Sequence, residues 1–241
     1  EFNIDLKSTT NIEDQNWYHA KVVKRDNKLN LILDGKTESS INLSEQYFSY
    51  IEETNDIAIG HINTSGIQLE SKPETEEGFY YIDGYFQDIR ITKSINSEEE
   101  DSVKPANLIP PNCSSILDNC PELHLQSNEE NALFELKDKG INNHDVNIYG
   151  SPINDPNFTF LNQPSLKFNQ DNYIEIESQF NFVHEAQIDW TLMFWVNVLN
   201  QDGKATICTS TNKRSGIDIW YSQEDQAIYF DVYKNEDKVL S

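Results

Sequence analysis

Basic residues are scarce in this chain: 18 Lys and Arg stand against 41 Asp and Glu, a formal charge of -23. A polyanion of this kind is repelled by phosphate backbones and anionic lipid surfaces, so nucleic acid and membrane partners are not expected. No apolar run approaches the roughly 20 residues that span a bilayer, and no secretory signal is present. The chain does not open on Met and reads as a processed or excised piece of a longer protein. Cysteine is limited to Cys113, Cys120 and Cys208, with no further Cys or His at ligand spacing, so a zinc site is not expected. Helical patterning is also lacking, apart from Ser44 to Glu53, which reads as one short turn or helix. Neither a Ser/His/Asp arrangement nor a phosphate-cradling glycine loop is recognisable.

What is present is the material of strands. Hydrophobic residues make up 37% and aromatics 11% of the chain, enough for a packed core. In "LNLILDGK", Leu29, Leu31 and Leu33 share one face, and the run breaks at Asp34-Gly35, a dipeptide suited to tight hairpin turns. "YYIDGYFQDIRITK" alternates Ile89 and Ile91 against Asp88, Arg90 and Thr92. "WTLMFWVNV" is almost continuously apolar, as a strand covered on both faces would be. "GIDIWYSQEDQAIYFDVYKNEDKV" reads as three strands divided by polar turns.

The segment 94–130 differs, with an acidic run, prolines and no alternation, and is read as a linker between block 1–93 and block 131–241. Within it, "PPNCSSILDNCPEL" brings Cys113 and Cys120 close together, so a local disulfide is expected in an oxidising compartment, free thiols being the alternative. Cys208 reads as a small buried hydrophobe. Sequons at Asn42, Asn63, Asn112 and Asn157 permit glycosylation in a secretory route without demonstrating it.

Each block by itself looks like half of a domain. "NWYHAKVVKRDNKLNLILDGK" resembles the central strand pair of laminin-G-like domains, a branch of the concanavalin A-like lectin and glucanase superfamily; a Trp-x-His strand there leads to an apolar strand ending in Asp-Gly. Gly84, Asp88, Arg90 and Ile91 in "GYFQDIRITK" resemble the last strand of that family. In the other block, "NALFELKDKGINNHDVNIYGSPI", "PSLKFNQDNYIEIES" and "IDWTLMFWVNV" resemble the family's early strands, with Thr191, Trp195 and Val196 in a Thr-x-x-x-Trp-Val pattern. The resemblance implies an all-β, two-sheet antiparallel jelly roll with its second half at the N-terminus and its first half at the C-terminus. "IYFDVYKNEDKVLS" followed by "EFNIDLK" continues the family pattern without a gap. Either the two blocks of one chain pair, or successive copies in a tandem array complement one another; the arbitrary look of the ends favours the array.

The resemblance implies a non-enzymatic repeat of a large secreted or cell-surface protein, acting in adhesion or building an extracellular filament. Its expected partners are neighbouring copies of the repeat, glycans or matrix proteins. The alternative is a calcium-dependent lectin module, and a glucanase-like hydrolase is third. Glucanases of the superfamily need alternating acids on one strand; Glu175 and Glu177 have the right parity, but no third acid follows in pattern. His19, in the Trp-x-His place, is expected to be packed and hydrogen-bonded rather than catalytic. Calcium, which takes several oxygen ligands, has candidates in Asp83, Asp88, Asp171 and Asn172. The alternative is that Asp88 pairs with Arg90 on its own strand face and Asp171 makes a turn. An exposed glycan platform would come from Trp220 and Tyr221, or from Phe79, Tyr80 and Tyr81, set against the tendency of sandwich aromatics to be core.

Overall fold

A computed structural model describes residues 2–44, 57–60, 82–93, 121–125, 136, 138–150, 153–160, 163–169, 172–177, 188–199, 203–211 and 215–234. The described chain is all-β, in two antiparallel sheets. With strands numbered in chain order, the seven-stranded sheet runs β1 (Phe2–Lys7), β15 (Ala227–Lys234), β14 (Ser215–Ser222), β13 (Lys204–Thr211), β5 (Ile57–Ile59), β11 (Tyr173–Glu177), β8 (Asp145–Tyr149). The eight-stranded sheet runs β4 (Lys36–Asn42), β3 (Lys28–Leu33), β2 (Trp17–Arg25), β12 (Trp190–Val198), β6 (Gly84–Lys93), β10 (Gln163–Phe168), β9 (Ile153–Phe160), and β7 (Leu123–Leu125) pairs with β6. Residues 45–53 of the segment expected as a short helix, the cysteines Cys113 and Cys120, and the aromatics Phe79, Tyr80 and Tyr81 lie outside the described residues.

The two sequence blocks are interleaved in both sheets of a single chain. β12 lies between β2 and β6, and β5 lies between β13 and β11. β1 pairs with β15 from Phe2 opposite Lys234 to Lys7 opposite Tyr229, so the first and last described strands are neighbours. Strands of block 1–93 and block 131–241 thus alternate within both sheets.

Period-two alternation decides which side chains meet. Ile4, Leu6, Leu29, Leu31, Leu33, Trp190, Leu192, Phe194, Ile217, Ile219, Ile228 and Phe230 belong to one continuous buried cluster fed by both sheets. That shared core is compatible with a β-sandwich. Trp190 of one sheet and Phe230 of the other approach to 6.4 Å between ring centroids. At about 25 cal/mol per Å² of apolar surface removed from water, this cluster is the main source of stability. The turn at Asp34-Gly35 forms as its dipeptide predicts, with both residues at positive φ (48° and 81°) and Leu33 paired to Lys36. Gly84 allows β6 to approach β12: a Cβ there would stand 2.7 Å from the Asn197 carbonyl oxygen. Glu38 lies at a register shift between β3 and β4 and turns inward, where its carboxylate accepts from the backbone N–H groups and hydroxyls of Thr9 and Thr10. It thereby ties the chain after β1 to the other sheet.

Candidate functional site

The sequence-derived calcium candidates are only partly brought together. Phe168 pairs with Gly84, so the turn after β10 and Asp83 share one end of the eight-stranded sheet. In that turn Asn172 is buried, and its Oδ1 accepts from Asn169 N–H at 3.0 Å. Asp171 lies outside the described residues. Asp88 sits further along β6 and is engaged elsewhere. Among the described residues no group of three or more His, Cys, Asp or Glu side chains is placed to hold a metal ion.

Asp88 marks a bulge: β6 and β12 slip register between Met193 and Trp195, and Asp88 takes φ +56°. Its buried Oδ1 accepts from Arg90 Nε at 2.7 Å and meets His124 Nε2 at 2.8 Å. Burial by itself would raise this carboxyl, but His124 and Arg90 outweigh it and hold the group below the usual range. The pairing with Arg90 is the one the strand parity allows. His124 arrives from β7, where Arg90 and His124 are register partners. The loop after β7 is organised by buried Asp138, whose carboxylate accepts from the N–H groups of His124, Gly140 and His144.

The glycan platform requires correction. Tyr221 points inward and is 0% exposed, because residue 221 shares parity with the core positions Ile217 and Ile219. Trp220 does face outward, but its ring is stacked on Tyr229 at 4.0 Å and 5°, with Lys204 Nζ 3.7 Å from its centroid. Two cross-strand neighbours thus occupy the ring that a sugar would need. His19 is packed as expected, 1% exposed with its ring 4.7 Å from that of Trp195.

The outer face of the seven-stranded sheet holds a feature that sequence reading missed. Asp5, Asp231 and Asp218 stand directly opposite one another on β1, β15 and β14. Like charges so opposed repel. Asp231 Oδ2 accepts from Trp220 Nε1 at 2.7 Å, whereas Asp218 Oδ1 and Asp231 Oδ1 are enclosed without a hydrogen-bond partner among the described residues. Burial, opposed by Lys204 and reinforced by Asp231, pushes Asp218 up to about 7. Asp231 is raised as well, again mainly by burial. The local signal was available: "NIDLK", "GIDIW" and "YFDVY" each set an Asp between apolar neighbours. Only the register reveals that the three align. Glu175 shares this outer face, flanked by the core residues Ile174 and Ile176.

On the opposite side of the molecule, an open groove of about 510 Å³ lies over β2, β3 and β4. Val23 and Ile32 form its floor, with Arg25, Lys28, Asn30 and Asn42 around them. Asn42 is exposed there, which leaves its sequon accessible; Asn157 falls in β9, while Asn63 and Asn112 lie outside the described residues. Cys208 is a free thiol and buried, pushed up to about 12 by burial and then by Asp218, as befits a core hydrophobe.

No protein-family model, no curated protein and no solved structure matches this chain.

Proposed function

We propose that this chain is a non-enzymatic, laminin-G-like module of a secreted or cell-surface protein, acting in adhesion or as a structural unit of an extracellular filament. The observation that carries this reading is the alternation of strands from the two blocks in both sheets around one core. Such a body is a rigid block offering two broad sheet faces, which suits mechanical and adhesive roles. A jelly-roll connection of the strands and a permuted order belong to the same proposal. In support, Asp88 is bonded to Arg90 and His124, Glu38 to Thr9 and Thr10, and Trp220 to Asp231.

The test is attachment of cells and of matrix-coated beads to immobilised full chain, alongside a glycan array with and without chelator and a β-glucan hydrolysis assay. Attachment without hydrolysis is expected. Sugar binding abolished by chelator would replace this reading with the calcium-dependent lectin, and hydrolysis lost in Glu175→Gln would replace it with an enzyme.

A further inference from the structure

The sequon Asn42-Leu43-Ser44 is a motif that the adhesive reading leaves unused. β4 is an edge strand of the eight-stranded sheet, and Asn42 is its last residue. Beyond the register shift near Glu38, Ser40 stands opposite Asn30 and Asn42 opposite Lys28, and Ser40 Oγ donates to Asn30 Oδ1 at 2.8 Å. The Asn42 side chain therefore lies on the outer face, where it lines the groove of about 510 Å³ over β2, β3 and β4. Leu43 turns the other way, into the core, and its N–H donates to the Asn27 carbonyl at 2.6 Å. Asn42 and Ser44 flank it, both exposed. The backbone of the sequon is thus held in place, while the amide and the hydroxyl that glycosyl transfer requires are open to solvent.

We propose that Asn42 carries an N-linked glycan whose innermost N-acetylglucosamine lies in this groove. The donor is a lipid-diphosphate-linked oligosaccharide. The bond from sugar C1 to the diphosphate oxygen breaks, a bond from C1 to Asn42 Nδ2 forms, and the proton lost by the amide leaves with the lipid diphosphate. This rests on the secreted-module reading, because such transfer takes place on the secretory route. The sugar is neutral, so its seating depends on shape and hydrogen bonding, and the charge of -23 does not oppose it. The groove falls within the roughly 300–1,000 Å³ of small-molecule sites. Beside its apolar floor of Val23 and Ile32, Asn27 and Thr37 offer an amide and a hydroxyl, groups that pair with sugar hydroxyls and with the acetamide. The covalent link makes the contact intramolecular, so interactions too weak to hold a free sugar suffice. A glycan here also covers the end of an edge strand beside Ile41, which is 36% exposed, and hinders pairing with a strand of another molecule.

The test is expression of the full chain behind a secretory leader, in cells that make only high-mannose glycans, with mass mapping of each sequon. Asn42 is expected to be modified in most molecules. Asn42→Gln and Ser44→Ala should each lose one glycan by mass, and Ser44→Thr should keep it. Both substituted residues are exposed, and thermal unfolding verifies that each variant stays folded. An endoglycosidase that leaves one N-acetylglucosamine per site then gives trimmed forms of the native chain and of Asn42→Gln. The trimmed native chain should unfold about 2–4 °C higher, the shift that one modest contact gives in a domain of this size. Repeated in Thr37→Trp, which fills the groove from an exposed position, the comparison should show no difference. A secreted chain with Asn42 bare would overturn the proposal while leaving the secreted module standing. Equal midpoints for the trimmed native chain and trimmed Asn42→Gln would overturn the seating of the sugar in the groove. A chain that never leaves the cell folded would sink the secreted reading and this proposal with it.

Discussion

Asp218 links the outer face of the seven-stranded sheet to pH. Its carboxyl rises from an ordinary 3.8 to about 7 in the folded chain, through burial and the neighbouring Asp231. Between those values the folded state holds a proton that the unfolded state has released, so stability falls as pH climbs from about 4 to about 7 and then levels off. At about 1.4 kcal/mol per unit, the loss is on the order of a few kcal/mol. Asp218→Asn carries no charge at any pH, so its unfolding midpoint should exceed the native one at pH 8 and match it near pH 4. Equal midpoints at pH 8 would refute the aspartate row as a source of strain. Glu38 has the opposite sign: against the pull of burial, hydrogen bonds from Thr9, Lys36 and Thr10 lower it to about 2. Its stabilisation is full above about 4.5 and disappears as pH drops through 2. Glu38→Gln should therefore cost about 1–3 kcal/mol at pH 7 and much less near pH 2, read by denaturant unfolding at both. Of these residue-level facts, sequence parity conveyed the Asp88–Arg90 pairing, because residues two apart share a strand face. It could not convey His124, which reaches Asp88 from 36 residues away.

Strands were legible where local chemistry specifies them. The Leu29–Leu31–Leu33 stripe is core, the Asp34-Gly35 turn closes β3 onto β4, and the apolar run at Trp190–Val198 is a central strand hydrogen-bonded on its two edges to β2 and β6. Parity misled only when an aromatic was assigned to the surface without a register, as Tyr221 was. Register itself, and bulges such as the one at Asp88, depend on partners distant in sequence and stayed hidden. Gly84 tests the β6–β12 contact at the level of the element. Gly84→Ala would press a methyl against the Asn197 carbonyl, a backbone atom 2.7 Å away that cannot swing aside. A loss of about 1–3 kcal/mol in denaturant unfolding is expected. An unchanged midpoint would mean the two strands are further apart at this point.

At the scale of the whole molecule, the sequence indicated two incomplete blocks but could not say which copy completes which. Unpaired edges and a single apolar face make either block complementary to the other wherever it lies on the chain. In the structure β1 is bound to β15, Ser8 Oγ accepts from Ile228 N–H at 3.0 Å, and Glu38 anchors Thr9 and Thr10, all within one chain. Opposed residues of antiparallel strands have Cα atoms about 4.5–5.5 Å apart, inside the range a disulfide bridges. Asp5→Cys with Asp231→Cys, in a background where Cys113 and Cys120 are Ser, should oxidise to a cross-link that migrates as monomer on non-reducing gels. The bond should also raise the unfolding midpoint, since it closes nearly the whole chain into a loop. Cross-linked dimers and ladders in place of the monomer would show that β1 pairs with β15 of another copy.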